Sequence, residues 1–225
     1  MLEGDILIDM HTHILPNVDD GAKSIDISRA LLMKEIEEGV SKVILTPHQN
    51  KNNLNKEFIL DAYNKFKESV KDLDIELSLG SEVYYYNGFK NDLLNGKIIS
   101  MDNSKYILLE FSTSIDENIP DILYDLSLSG YKIILAHIER YSYLKLSDYD
   151  EIHKYAKIQI NSKSLLDKKY KKIMKYLLKN DYIDFMASDC HDLDRRGVEF
   201  KEQLKYLEKK YKNTYLKVTK DNLFD

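Results

Sequence analysis

Seven short apolar runs, separated by amphipathic stretches, constrain this chain more than any other feature of it. The runs cover residues 6–8, 42–46, 75–79, 106–111, 132–136, 158–160 and 182–187. Short, near-continuous apolar runs are the pattern of strands buried on both faces. Between them, apolar residues recur at helical spacing. Phe58, Ile59, Ala62, Phe66 and Val70 lie along one face of a helix over 56–73. A helix over 25–38 takes Ser24 as its N-cap and Gly39 as its stop. Further helices are expected over 121–129, 148–155, 169–180 and 199–211, with a shorter one at 87–95. Strand and helix alternating in this way predict an α/β fold, a parallel sheet with helical crossovers. Seven units either close into a barrel or stay open as a doubly wound sheet. No glycine-rich phosphate loop follows any run, which argues against nucleotide binding.

The 225 residues fit one domain over 1–225, long enough to bury a sizeable core. No run approaches the roughly 20 apolar residues of a membrane span, and the first residues lack a signal peptide's basic-then-apolar order. The expectation is a cytoplasmic protein with no membrane insertion. Cys190 is the single cysteine, so no internal disulfide forms. A net charge of −5 argues against a nucleic-acid partner. The Lys-rich stretch 163–179 reads as the solvated face of a helix, able to attract an acidic partner.

The chemistry sits at the ends of the runs. His11 and His13 follow the first, one residue apart, so an extended backbone points both rings to one side. Asp19-Asp20-Gly21 comes next, then His48 after the second run and Glu82 after the third. Glu110 ends the fourth run, His137 follows the fifth, and Asp189 and His191 follow the seventh. Only His153 lies inside a helical pattern, as a surface residue. The carboxyl ends of parallel strands are where barrels and open α/β sheets place their sites. Nine candidate donors (His11, His13, Asp20, His48, Glu82, Glu110, His137, Asp189 and His191) exceed one four-coordinate cation and suit two or three with bridging carboxylates. Imidazole and carboxylate without thiolate fit Mn, Fe or Zn. Such ions activate water at neutral pH and clamp phosphoryl oxygens. Arg140 and the Arg195-Arg196 pair offer forked hydrogen bonds to phosphate.

These residues resemble the PHP (polymerase and histidinol phosphatase) superfamily, and within it the bacterial manganese-dependent protein-tyrosine phosphatases of capsule and exopolysaccharide loci. The resembling segments are IDMHTHILPNVDDGAKS, ILTPH, GSEVYY, LLEF, ILAHIERY, QINSKSL and ASDCHD with a following arginine, from residue 8 to about 196. The resemblance implies a distorted, TIM-like (β/α)7 barrel with its metal site at the carboxyl ends of the strands. It implies three metal ions, Mn before Fe or Zn, held by the nine residues above with Glu82 as the bridge. It implies that Arg140 and Arg196 bind the phosphate. The implied reaction is hydrolysis of a phosphotyrosine monoester by a metal-activated hydroxide. The implied substrate is a bacterial tyrosine kinase governing polysaccharide synthesis. The family's longer helical ending is replaced here by NTYLKVTKDNLFD, which leaves open whether a homo-oligomer forms.

Competing readings exist. Cys190 and Arg196 have the C-x5-R spacing of cysteine-dependent tyrosine phosphatases. The intervening His-Asp-Leu-Asp-Arg contains no glycine to cradle phosphate and two carboxylates that repel it. Cys190 also alternates with Asp189 and His191 and is expected to face away from them. Among metal enzymes, the rivals are a small-molecule phosphatase such as histidinol phosphatase and a metal-dependent phosphodiesterase or nuclease. The acidic balance counts against a nuclease. A non-catalytic metal-binding module leaves the arginines without a role. Tyr84-Tyr85-Tyr86 reads first as ordinary packing, and alternatively as an aromatic wall for a phosphotyrosine ring.

Overall fold

The computed structural model describes residues 6–53, 55–220 and 224. Its strands are β1 (Leu7–Thr12), β2 (Val40–Leu45), β3 (His48–Gln49), β4 (Glu76–Leu79), β5 (Glu82–Tyr84), β6 (Tyr106–Glu110), β7 (Lys132–Leu135), β8 (Ala156–Asn161) and β9 (Phe185–Ala187). The helices are α1 (Ile25–Glu38), α2 (Lys56–Ser69), α3 (Phe89–Leu94), α4 (Ile119–Ser127), α5 (Leu146–Tyr155), α6 (Lys171–Lys179), α7 (Lys201–Lys210) and α8 (Lys212–Val218). Every strand pairing is parallel, in the orders β1-β2-β4 and β3-β5-β6-β7-β8-β9.

The strands occupy the seven expected positions, because two of them are broken. The chain leaves β2 at Thr46-Pro47 and resumes as β3; it leaves β4 at Gly80-Ser81 and resumes as β5. Proline has no N–H to give a ladder, and here the Pro47 carbonyl accepts from the Glu82 N–H at 3.2 Å. Each break carries the chain from the first sheet into the second. Neither β3 nor β5 was expected, since two and three residues make no apolar run. Between β9 and β1 the ring of strands is joined by one parallel bridge, Thr12 with Cys190. Around it, the His13 N–H donates to the Cys190 carbonyl and the Asp189 N–H to the His11 carbonyl, each at 2.9 Å. The fold is therefore the distorted barrel expected, with an unzipped seam.

Strand alternation divides the core in two. Ile134 of β7 and Ala136 just after it join Ile8, Met10, Ile44, Leu108 and Phe185 in an inner cluster. Ile133 and Leu135 face outward into the layer under the helices, with Leu31, Leu32 and Phe66. Each such buried side chain stabilises the fold by roughly 1.5–3 kcal/mol relative to exposure.

Helix α1 spans the expected residues. Ser24 Oγ accepts from the Ile27 N–H at 3.2 Å, and Gly39 takes a left-handed φ of 91° to end the helix. Helix α2 stops at Ser69, four residues short of the expectation, and α4 begins two residues early with Pro120 in its first turn. The helix expected over 169–180 starts at Lys171, because 163–170 form two short 3-10 turns. The tail was not expected to be helical past 211. It forms α8, which buries Thr214, Tyr215 and Val218; residues 221–223 and 225 lie outside the described residues. No helix among the described residues is long and apolar enough to cross a membrane. Replacing Ser24 with Ala removes the N-cap acceptor and is expected to cost about 1 kcal/mol. Urea unfolding, read as a lower midpoint with unchanged slope, checks this.

Candidate metal centre

The donor cluster is assembled by irregular backbone at the carboxyl ends of the strands. In β1, Asp9 pairs with Val43 and Thr12 with Leu45, so β1 holds one residue more than β2 between these pairs. Such a bulge re-aims the side chains that follow it. Ile8 and Met10 pack in the inner cluster and Leu7 in the outer one; strict alternation would send His11 outward with Leu7, and the extra residue turns it inward. His11 therefore lies inside the strand, not beyond its end as expected, while His13 follows the end. His137 and Asp189 take left-handed φ values of 29° and 54° at the ends of β7 and β9. Non-glycine residues are held there only where their surroundings over-determine them. The loop carrying Asp19 and Asp20 folds tightly back over His13. A Cβ on Gly21 would lie 2.0 Å from the His13 carbonyl oxygen, so only glycine fits.

All nine candidate side chains meet in this region. Glu82 is at its centre, buried at 1% exposure. Its Oε2 lies 3.3 Å from His11 Nε2, 3.2 Å from His13 Nε2 and 3.1 Å from His48 Nδ1; its Oε1 lies 2.9 Å from His137 Nε2. Glu110 Oε1 is 3.4 Å from His137 Nε2. Asp189 Oδ1 is 3.6 Å from the Nε2 atoms of both His11 and His13. Asp20, the one exposed member of the nine, lies 3.4 Å from His48 Nε2 and from His191 Nε2. Three sets emerge: His13, Asp20, His48 and His191; His11, His13 and Asp189; His48, Glu82 and Glu110, each with donor atoms within 4.8 Å of one another. His153 stands apart on α5, stacked on Tyr182 with ring centroids 4.3 Å apart.

The residues fit divalent cations on three counts. Two ligands on one ion at 2.0–2.2 Å lie roughly 3.0–3.6 Å apart, which is the spacing found here. Three rings have their outer nitrogen engaged and Nε2 turned to the cluster. His11 Nδ1 meets Gln159 Oε1 at 3.2 Å, His13 Nδ1 meets Asp19 Oδ2 at 2.7 Å, and His191 Nδ1 meets the Asp189 carbonyl at 3.0 Å. Partners of this kind fix the tautomer of a metal-binding histidine. His191 Nε2 is buried without a hydrogen-bond partner, which a cation would satisfy.

The cluster carries an excess of carboxylate charge, which draws protons to two of the rings that a metal ion would have to displace. Burial opposes charge on His13 and His137, but the carboxylates override it. Asp19 and Glu82 lift His13 to about 10, and Glu110 and Glu82 lift His137 to about 10. Burial and repulsion from His13 push His191 down to about 3, so that ring stays neutral, as a ligand must. Against the cost of burial, the surrounding histidines hold Glu82 and Asp189 well below the usual carboxylate range.

The two arginines expected to bind phosphate converge on Asp189. Arg196 Nη2 donates to its Oδ1 at 2.7 Å, and Arg140 Nη1 lies 3.5 Å from its Oδ2. Both guanidiniums are about one-third exposed, at 38% and 36%. Arg195, by comparison, is an exposed residue with no ion pair to Asp189. Beside the cluster opens a cavity of about 460 Å³, lined by Tyr84, Tyr85, Tyr86, Lys51, His48 and Glu110. Cys190 turns away: it is buried with Sγ 3.6 Å from Glu35 Oε1, and burial with the Glu35 and Asp9 carboxyls pushes its thiol well up. It holds no nucleophilic thiolate.

Several supporting residues escaped the sequence reading. Asp19 was noted only as part of a motif, yet it accepts from His13 and from the N–H groups of Gly21 and His48. Gln159 accepts from the His137 N–H at 2.7 Å as well as meeting His11. Asn161 donates to Asp189 Oδ2 at 2.8 Å. The polar Gln159 and Asn161 in an otherwise apolar strand, two residues apart, were the available signal.

A parallel barrel carrying a histidine–carboxylate cluster at its carboxyl end is the architecture of a metal-dependent hydrolase. The family model for capsular polysaccharide synthesis proteins, CpsB/CapC, matches residues 7–222, and the chain belongs to that family. It is 32% identical over 220 residues to the tyrosine-protein phosphatase YwqE of Bacillus subtilis, covering 91% of this chain and 85% of that one. It is 30% identical over 224 residues to the tyrosine-protein phosphatase CpsB of Streptococcus pneumoniae, covering 91% of each. Its structure superposes with a TM-score of 0.84 and 29% identity on a crystal structure from work on YwqE and CpsB, described as unique metal-dependent tyrosine phosphatases, covering 93% of this chain and 90% of that one.

The Gly21 contact yields a prediction. Gly21→Ala forces the Asp19–Asp20 loop off His13 and is expected to weaken divalent-metal affinity by about 10–100-fold. Metal content after dialysis, measured by elemental analysis, checks this, with circular dichroism to show that the fold is kept.

Proposed function

We propose that this chain is a metal-dependent protein-tyrosine phosphatase acting on a bacterial tyrosine kinase that regulates capsular or extracellular polysaccharide synthesis. The observation that carries this reading is the tyrosine-lined cavity opening directly beside the donor cluster. An aromatic slot next to a phosphate site suits an aryl phosphate carried on a protein. The relatives named as tyrosine-protein phosphatases and the capsular-synthesis family support it.

His11, His13, Asp20, His48, Glu82, Glu110, His137, Asp189 and His191 would hold the metal. The three donor sets overlap at His13 and His48 and favour three divalent ions, and Glu82, within 3.3 Å of four imidazoles, would be the bridge between them. Nitrogen and carboxylate donors without sulfur favour Mn, with Fe and Zn as substitutes. When bound, such ions lower the pKa of water and neutralise phosphoryl oxygens. Arg140 and Arg196 take the remaining phosphate oxygens in forked hydrogen bonds, leaving Asp189 to do so. Their positions are pre-set, since Asp189 is itself fixed by Asn161. The tyrosines of 84–86 hold the ring so that the phosphorus faces the cluster. A water oxygen gives up a proton and bonds to phosphorus as the bond to the tyrosyl oxygen breaks; that oxygen leaves with the electron pair and takes up a proton from solvent. Arg140 and Arg196 stabilise the charge that develops on the equatorial oxygens. The reaction needs no phosphoenzyme, and the buried thiol of Cys190, facing Glu35, is not placed to form a phosphocysteine. We read residues 1–225 as one domain working in the cytoplasm.

Three measurements test the reading. Cys190→Ser is expected to keep most activity, while His137→Ala lowers it by about a hundredfold or more; the reverse order would restore a cysteine mechanism. Chelation with EDTA is expected to abolish activity and Mn²⁺ to restore it, and full activity in chelator would contradict the metal premise. A substrate panel with Mn²⁺ compares phosphotyrosyl peptide, histidinol phosphate and a nuclease substrate. Preference for either of the last two overturns the assignment.

A further inference from the structure

The segment from 163 to 179 carries seven lysines and one acidic residue in a chain of net charge −5. Some exposed lysines elsewhere pair, as Lys65 does with Asp61 and Lys154 with Glu151, and within the segment Lys163 pairs with Glu199. Among the described residues, Lys168, Lys171 and Lys175 have no ion-pair partner and are exposed. They rim a cavity of about 490 Å³ with Leu165 and Met174 at its floor and Tyr206 and Tyr211 along one wall. That volume falls within the roughly 300–1,000 Å³ of ligand pockets. Lysines around an apolar recess are complementary to an extended peptide with carboxylates and an occasional apolar side chain. A flat lipid surface would touch the rim and leave the recess empty.

The recess is built onto the catalytic face. Its segment begins directly after β8, whose Asn161 holds Asp189, the partner of Arg140 and Arg196. Lys163 Nζ donates at 3.2 Å to the Arg195 carbonyl, tying the segment to the loop that carries Arg196. Lys169 lies over the Tyr170 ring, 4.7 Å from its centroid, within reach of the Arg140 field. The segment thus links the loop of Arg196 to the lysine rim, with Lys163 also paired to Glu199 at 3.2 Å and Asp167 as the one acidic residue in the recess lining.

We propose that this lysine-rimmed groove docks an acidic stretch of the phosphotyrosyl protein substrate and selects substrates by charge. The proposal rests on the phosphatase reading above and adds a second contact, away from the phosphate. Charge complementarity of this kind raises encounter rate and specificity and weakens with salt.

The test uses the full chain with Mn²⁺ and the exposed triple variant Lys168→Glu/Lys171→Glu/Lys175→Glu. Three substrates are compared: a small aryl phosphate, a phosphotyrosyl peptide with an acidic flank, and the same peptide with a neutral flank. The parent is expected to show a KM about tenfold lower for the acidic peptide, a gap that closes at high salt. The variant is expected to lose this gap while keeping kcat and its rate on the aryl phosphate, and the corresponding Lys→Arg triple is expected to retain it. Equal treatment of the two peptides by the parent, or an unchanged gap in the variant, overturns the proposal. So does binding of the parent to phosphatidylglycerol vesicles in place of the acidic peptide. Fluorescence titration with the unphosphorylated acidic peptide reads the groove independently of turnover. Binding without hydrolysis would sink the phosphatase reading alone, and hydrolysis without charge preference would sink the groove alone.

Discussion

One buried carboxylate organises this molecule's functional end. Glu82 faces four imidazoles, three through Oε2 and one through Oε1, with its own exposure near zero. A lone buried carboxylate is costly, and the imidazoles gathered around it make it tolerable. That requirement draws His11, His13, His48 and His137 from three different strand positions to one point. It also explains the break in strand β4. Glu82 is the first residue of β5, after Gly80-Ser81 has turned the chain out of the first sheet. Had the strand run straight, its carboxylate would have stayed with β2 rather than between β3 and β6.

The coarse fold was legible because it rests on period. Apolar runs and helical spacing recur along the chain, and each expected strand and helix position is occupied. The clustering of the nine candidates was legible because all of them end or follow a strand run, the end at which the structure gathers them. What escaped has no period. The bulge in β1 is a matter of one residue in the register with β2, invisible without the partner strand. Asp19 and Gln159 act through hydrogen bonds to rings whose positions are set by distant chain. Helix α8 was missed because only Thr214, Tyr215 and Val218 face inward, too few to make a strong apolar stripe.

The unzipped seam has its own support, and it lies behind the donors. Asp9, fully buried on β1, accepts from the Ser188 N–H at 3.1 and 3.2 Å and from the His11 N–H at 3.3 Å. The bonds from Ser188 to the Asp9 carboxylate tie the strand of His11 to the segment of Asp189 where the ladder is missing. Glu35 on α1 lies on the same side, 3.6 Å from Cys190. Burial and the neighbouring Asp9 charge push Glu35 well above the usual carboxylate range, so it is the neutral member of the pair. Asp9, with N–H groups aimed at it, is the better place for the charge, although burial raises it too. The cysteine that mimics a catalytic motif is thus part of the packing that joins α1 to the seam.

Regular geometry alone could not have built this site. Neighbouring strands lie about 4.8 Å apart and side chains alternate, so straight strands would spread the donors around a rim instead of bringing them within a few ångströms. Six of the seven strand positions contribute candidates, and β8 contributes Gln159 and Asn161 as supports. Convergence is reached through local departures: one bulge, two strand breaks, and left-handed backbone at His137 and Asp189. Each departure is pinned. Gln159 holds the His137 N–H, and Asn161 and Arg196 hold the Asp189 carboxylate. Strain of this kind costs of order 1–3 kcal/mol per residue, and the apolar cluster beneath it offsets that cost. The inner core stays regular so that its upper edge can be irregular, and it is at that edge that charge, rather than packing, decides where each side chain lies.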